Sequence, residues 1–270
     1  MERFENKAVF ITGASSGIGE ELARQLVKQG AQVFLFARRE DRLKKIANEI
    51  DSTQKKVGWM VGDVSSRSDL DRAVKTMVGT FGRIDIVVAN AGFGVAGNVS
   101  TLSAEDYERQ FAVNVFGVLH TLYSVESELE KSKGQLILIG SVAGYVPLPG
   151  NSAYTMSKFC VRALSGALQH EWKEKGITVT HLAPGFVDSD IRRTDNLGQL
   201  KADHPDPIPS WLRVPTEKAV SEMLSAIYKK KKQRVITGHG KVILLVNQYL
   251  PQLIPWLVSR GGVRARPEPK

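Results

Sequence analysis

Tyr154 and Lys158 stand four residues apart in a segment, Ser152 to Lys175, whose pattern predicts a long helix. That spacing places both side chains on one face, with Cβ atoms about 5 to 6 Å apart, so they can act as a pair. A free tyrosine has a pKa near 10, and only about one in a thousand is ionised at neutral pH. A buried ammonium favours the phenolate, and a lowering of about 3 units requires about 4 kcal/mol of favourable interaction. Tyr154 then becomes a usable acid and base. Ser141 follows the apolar run Gln135 to Gly140, which reads as a strand, so its hydroxyl can hold a substrate carbonyl oxygen at the strand end. Asn114 lies in Ala112-Val113-Asn114-Val115-Phe116-Gly117, otherwise an apolar helix face, where a buried amide needs partners; a water chain to Lys158 would supply them. Asn114, Ser141, Tyr154 and Lys158 are the candidate catalytic residues, and their chemistry is proton transfer to or from an oxygen.

Those side chains need a reaction partner, and the N-terminal segment indicates one. Lys7 to Thr12 carries an apolar run, three glycines follow within Thr12-Gly13-Ala14-Ser15-Ser16-Gly17-Ile18-Gly19, and apolar residues then recur at helical spacing from Glu20 to Val27. This is strand, tight turn, helix. Glycine is needed where a side chain would keep a pyrophosphate from backbone N–H groups, and the helix start supplies partial positive charge. Gly13, Ser15, Ser16, Gly17, Ile18 and Gly19 are therefore candidate cofactor contacts, although the spacing is G-x-x-x-G-x-G and not the commoner G-x-G-x-x-G. In NAD-binding versions of such a unit an acidic residue ending the second strand takes the ribose 2′-OH. Here Gln32 to Phe36 is followed by Ala37, Arg38 and Arg39. No carboxylate repels a 2′-phosphate, and a guanidinium pairs well with one, so the expected cofactor is NADP(H), with Arg38 as the phosphate ligand. Arg39 reads as part of a solvated face opening the next helix. Asp63, with Val64, follows the strand Val57 to Val61 and is the candidate adenine contact, though Asp63 serves equally as a strand-end turn residue.

With these residues in view the chain resembles the short-chain dehydrogenase/reductase family from about Lys7 to about Gly238. The family's glycine motif matches Thr12 to Gly19, its Asn-Ala-Gly matches Asn90-Ala91-Gly92, and its catalytic asparagine, serine and Tyr-x-x-x-Lys match Asn114, Ser141 and Tyr154 to Lys158. Its Pro-Gly after the sixth strand matches Pro184-Gly185. The resemblance implies that Lys158 also binds the nicotinamide ribose, that Val187 and Ser189 hold the carboxamide, and that Tyr154, helped by an oxidised nicotinamide, exchanges the substrate's proton while hydride moves at nicotinamide C4. Ala89 and Ser189 depart from the asparagine and threonine usual there, which touches only the hydrogen bonding on the nicotinamide side.

The elements that must position these groups alternate along the chain: Ile84 to Ala89, a helix from Ser103, Gln135 to Gly140, the Tyr154 helix, then Thr178 to Leu182 and Arg234 to Thr237. That rhythm implies an α/β fold, a single doubly wound Rossmann-type domain with a parallel sheet and helices on both faces. Residues 1–240 are expected to form its binding and catalytic body, with a substrate lid at about 188–214 and a C-terminal extension at 241–270. The lid carries Ile191, Leu197, Leu200, Ile208, Trp211 and Leu212 among Pro205, Pro207 and Pro209, which suits a hydrophobic ketone or alcohol, steroid-, retinoid- or lipid-like; nearly as well, these residues pack the lid onto the domain.

The 270 residues, 42% hydrophobic, can bury one sizeable core. One cysteine, Cys160, excludes an intramolecular disulfide and a cysteine-based metal site, and no metal is expected. The net charge of +9 is spread along the chain, so nucleic acid is not expected as a partner, and Lys229 to Lys232 reads as a solvated helix end. The charged start has no signal-peptide pattern, which points to the cytoplasm. Val242 to Val258 contains no charge, yet as a helix of about 26 Å interrupted by Pro251 and Pro255 it is too short to span a bilayer. It is expected to line the substrate pocket or a subunit interface. The lesser alternative is a peripheral membrane contact through 242–266, with Trp256 at the surface beside Arg260, Arg264 and Arg266. Phe116, Leu119 and Leu122 offer an apolar helix face compatible with the homodimer or homotetramer common in the family. Two other functions compete: a different enzyme class on this fold, such as a dehalogenase, which would lack the glycines or the lysine, and an NADP(H)-binding sensor or regulatory protein without turnover.

Overall fold

The computed structural model describes residues 2–53, 55–147, 149–201 and 206–253. Its core is a seven-stranded sheet of β1 (Ala8–Thr12), β2 (Gln32–Ala37), β3 (Val57–Val61), β4 (Ile86–Ala89), β5 (Gln135–Ile139), β6 (Thr178–Ala183) and β7 (Gln233–Val235), in the order β3-β2-β1-β4-β5-β6-β7. Every neighbouring pair is parallel. Parallel strands covered on both faces need continuous apolar sequence, and β1 and β5 are buried at every residue. Alternation splits their side chains: Val9 and Ile11 join one core with Leu22 and Leu26 of helix α1 (Gly17–Lys28), Leu43 of α2 (Glu40–Ile50) and Met223 of α7 (Thr216–Tyr228). Ala8 and Phe10 join the opposite core with Leu70 of α3 (Arg67–Phe81), Val125 of α5 (Gly117–Ser132) and Val161 of α6 (Ser152–Glu171). The doubly wound reading is thus correct. Strand order reverses direction between β1 and β4, so a crevice opens outside their carboxyl ends.

Several boundaries differ from the sequence reading. α6 stops at Glu171, short of Lys175, and the chain turns back through Gly176 at φ 73°. The strand expected from Ile84 starts at Ile86, and the one expected over Arg234 to Thr237 is Gln233–Val235, because the Thr237 side chain caps the next helix, α8 (Gly238–Tyr249), by accepting from the Gly240 N–H. Between α4 (Ala104–Phe111) and α5, residues Ala112–Phe116 form a π-helical turn, a feature frequent at functional sites.

One surface also differs. Leu122 packs in the core and Leu119 against it; the exposed apolar residues of this region are Phe116 and Tyr123, with Met156 and Phe159 on α6. α8 ends before Pro251, as the prolines require, and Val242, Leu245, Tyr249 and Leu250 are exposed. Pro205, Pro255, Trp256, Arg260, Arg264 and Arg266 lie outside the described residues. Among the described residues, no helix is long and apolar enough to cross a membrane.

Candidate active site

The glycine turn after β1 is built by close approach. Gly13 adopts φ +66°, and a Cβ there would stand 2.7 Å from the Ala91 Cα; one on Gly19 would stand 2.4 Å from the Gly13 carbonyl oxygen. Asn90 donates to the carbonyls of Thr12 at 2.9 Å and Gly13 at 3.2 Å, while Thr12 Oγ1 accepts from the Asn90 and Ala91 amides at 3.1 Å. Asn90 and Ala91 therefore brace the turn. Ser16 precedes α1 without a side-chain cap bond, which leaves the first-turn N–H groups for an anion, and Gly17, at φ +55°, faces Ser189 across the crevice. These features fit a dinucleotide. Ile18 packs against the core below, and Val64 is buried against Gly117 with its carbonyl oxygen 3.1 Å from His120 Nδ1.

At the end of β2, Arg38 is exposed, 4.0 Å from Asp63. Asp63 Oδ1 accepts from the Ser65 N–H and hydroxyl, both at 2.8 Å, a turn-forming role. Arg39 is not the solvated residue expected. It is half-buried, and its guanidinium donates to Ser15 Oγ at 2.9 Å, the Ser15 carbonyl at 3.2 Å and Ser16 Oγ at 2.7 Å. Burial and the neighbouring Arg42 and Arg38 push the Arg39 pKa down. The sequence held this signal, since Arg39 follows the strand by two residues, but not the loop contact that draws it in.

The carboxyl ends of β4, β5 and β6 carry the other groups. Ser141 follows β5, its oxygen accepts from the Ala143 N–H at 3.1 Å, and its hydroxyl is within hydrogen-bonding reach of the Tyr154 phenol. The Lys158 Nζ lies 5.6 Å from the Tyr154 ring centroid and donates to the Ile139 carbonyl at 3.0 Å. In the protein alone, burial raises the Tyr154 pKa, and the opposing pulls come from the Ser141 hydroxyl and the charge of Arg192. Burial pushes Lys158 down to about 8, so it remains mostly cationic at neutral pH. Asn114, 1% exposed, does not depend on a water chain for partners: its Oδ1 accepts from the Phe93 N–H, and its Nδ2 donates to the Phe93 carbonyl and Ser157 Oγ, each at 3.1 Å. A Cβ on Gly92 would fall 3.1 Å from Asn114 Oδ1 and 3.8 Å from Lys158 Nζ, so the backbone there runs close against both groups.

Pro184 and Gly185 close the far side. The Pro184 carbonyl accepts from the Val142 N–H at 2.9 Å, and a Cβ on Gly185 would stand 2.5 Å from His239 Nε2. Val187 is buried and bridges to Val214; Ser189 Oγ reaches the Val187 carbonyl at 3.5 Å. Sequence reasoning missed Arg192, which makes a two-armed ion pair with buried Asp206 and donates to the Val187 carbonyl at 2.9 Å. Asn196 also ties the segment 188–214 to Ala96 by two 3.0 Å bonds. In the segment 188–214 Trp211 is 81% exposed, and Leu197 and Leu200 are exposed too, so these three do not pack onto the domain.

A family model described as short chain dehydrogenase matches residues 7–199. The chain belongs to the short-chain dehydrogenase family. It is 34% identical to an uncharacterized oxidoreductase of Staphylococcus epidermidis over 74% of this chain and 86% of that one. A Staphylococcus aureus oxidoreductase is 32% identical over 77% and 90%. An alcohol dehydrogenase from the archaeon Thermococcus sibiricus, solved with 5-hydroxy-NADP, superposes with a TM-score of 0.73 at 29% identity, covering 85% of this chain and 95% of that one. A short-chain dehydrogenase/reductase from Burkholderia phymatum, solved with NAD, shares the fold with a TM-score of 0.82 at 22% identity, over 94% and 97%.

One buried group gives this dehydrogenase-family chain a pH dependence. His181 on β6 is 2% exposed, and burial, then the charges of Lys158 and Arg162, push its imidazole from 6.5 down to about 4. An unfolded imidazole takes a proton near 6.5 while the folded one resists, so the neutral form's contribution is complete above about 6.5 and is lost as pH falls towards 4. The loss reaches about 3 kcal/mol. Urea unfolding of wild type and His181→Phe between pH 7 and pH 4 should show the shallower acid loss in the variant; equal slopes would show that His181 carries no such linkage.

Proposed function

We propose that this chain is an NADP(H)-dependent reductase or dehydrogenase that interconverts a hydrophobic carbonyl compound, steroid-, retinoid- or lipid-like, and its alcohol. The observation that carries the reading is the convergence of the Ser141 hydroxyl, the Tyr154 phenol and the Lys158 ammonium on the sheet edge that also bears the glycine turn. When bound, the nicotinamide supplies or takes the hydride. Ser141 holds the substrate oxygen, Tyr154 exchanges its proton, and Lys158, anchored on Ile139, places positive charge beside the phenol and near the ribose. Asn114 fixes the backbone of Phe93 beside them. Because burial alone raises the phenol, the neutral form that donates a proton is the resting one, which suits carbonyl reduction. The relative from Thermococcus sibiricus supports an NADP-type ligand, and the Arg38, Arg39 and Arg42 cluster, with its mutual repulsion on Arg39, favours an added 2′-phosphate over a bare ribose.

The exposed lid residues Leu197, Leu200 and Trp211 support an apolar substrate. Following NADPH absorbance with a panel of ketones, and NADP+ reduction with a panel of alcohols, tests the reading; turnover of apolar members is expected, and tight cofactor binding with no turnover of any would favour the sensor function instead. The exposed Phe116, Tyr123, Met156 and Phe159 support assembly as a homodimer or homotetramer. Light scattering should show it at micromolar protein, and Phe116→Asp with Tyr123→Asp should shift the mass towards the monomer. A wild-type monomer would refute assembly.

A further inference from the structure

One buried side chain touches both ends of the turn that carries Ser141. His181 stands opposite Leu138 in the β5–β6 ladder, beside the last turn of β5. Its Nδ1 lies 3.3 Å from the Tyr145 hydroxyl at the far end of the Ser141–Tyr145 turn, and its Nε2 faces Gly140 at the near end so closely that a Cβ there would stand 2.1 Å away. Among the described residues Nε2 has no hydrogen-bond partner, an expense in a buried polar atom that packing alone does not require. The same turn has no slack elsewhere. A Cβ on Gly144 would stand 2.7 Å from the Lys158 carbonyl oxygen, the Arg162 guanidinium lies 3.8 Å over the Tyr145 ring and donates to the Gly144 carbonyl at 3.3 Å, and Asn247 of α8 donates to the Tyr145 carbonyl at 3.4 Å.

We propose that His181 is a positioning residue of the reaction: the imidazole, set between Gly140 and the Tyr145 hydroxyl, fixes the Ser141–Tyr145 turn and so the Ser141 oxygen against the Tyr154 phenol. The charged and titratable groups around it are Lys158 and Arg162 on α6 and Tyr145 on the turn itself; burial, and then the two cations, keep the imidazole neutral, and a neutral ring can meet the Tyr145 hydroxyl in either hydrogen-bonding sense. A catalytic oxygen displaced by a fraction of an ångström loses rate without losing cofactor.

The proposal rests on the reductase reading, and the test separates the two. With NADPH and an aromatic 1,2-diketone as the probe, His181→Phe and Tyr145→Phe should each lower kcat about tenfold while the KM for NADPH stays within about twofold. The double variant should be no slower than the slower single, and His181→Asn, which keeps a polar atom near the place of Nδ1, should recover most of the rate. Losses that multiply in the double variant, a Tyr145→Phe enzyme within about twofold of wild type, or a KM for NADPH that rises with the loss of kcat would overturn it. If wild type turns over neither the diketone nor any other carbonyl probe, the reductase reading fails, and the wedge is judged by stability: Gly140→Ala should lower Tm by at least about 5 °C in wild type and by less than about 2 °C in a His181→Ala background. Equal losses in both backgrounds would overturn it.

Discussion

Replacing Tyr154 by phenylalanine should lower kcat by at least about 10²-fold while NADPH still binds, because the substitution removes the proton donor and keeps the ring. The geometry makes the loss specific. Tyr154 has the Ser141 hydroxyl within reach and sits under the influence of Arg192, while Lys158 is anchored separately on the Ile139 carbonyl, so the ammonium's position does not depend on the phenol. Lys158→Ala should damage both NADPH binding and turnover, since the family resemblance also assigns this ammonium to the nicotinamide ribose. Steady-state kinetics and NADPH titration of the two variants separate these effects. A Tyr154→Phe protein with near-normal kcat on a true substrate would rule out the assigned proton transfer.

NADPH should bind more tightly than NADH by roughly tenfold to over a hundredfold, the value of one charge-assisted contact of about 1.5 to 3 kcal/mol. Arg38 and Arg39 should divide that effect unequally. Arg38 is exposed and only loosely paired with Asp63, so Arg38→Ala should weaken NADPH and leave NADH nearly unchanged. Arg39 holds Ser15 and Ser16 of the glycine turn, so Arg39→Ala should weaken both cofactors. Calorimetric titration of both cofactors against the three proteins checks this, and equal wild-type affinities would remove the claim of NADP(H) preference.

The residues with fixed chemical spacing were legible in the sequence. Tyr154 and Lys158 needed only helical geometry, the glycine turn needed only its strand and helix, and strand–helix alternation was enough for a parallel sheet covered on both faces. Misreadings arose where tertiary contact decides. Phe116, Leu119 and Leu122 drift around a helix, whereas Tyr123, seven residues on, returns to the face of Phe116; the core takes Leu122 and leaves Tyr123 outside. Arg39 looked like a helix-opening surface residue because the hydroxyls that recruit it lie 23 and 24 residues earlier. The π turn at Asn114 and the contact of His181 with Gly140 have no local signature, since each depends on a neighbouring strand or loop that sequence spacing does not bring near.

The most direct measurement of the central claim uses NADPH carrying deuterium at the transferable C4 position, an apolar ketone that the panel shows to be consumed, and mass spectrometry of the alcohol. The expected result is an alcohol one mass unit heavier, formed in step with NADPH loss and greatly slowed by Tyr154→Phe. NADPH loss without deuterium in the alcohol would contradict hydride transfer at this site.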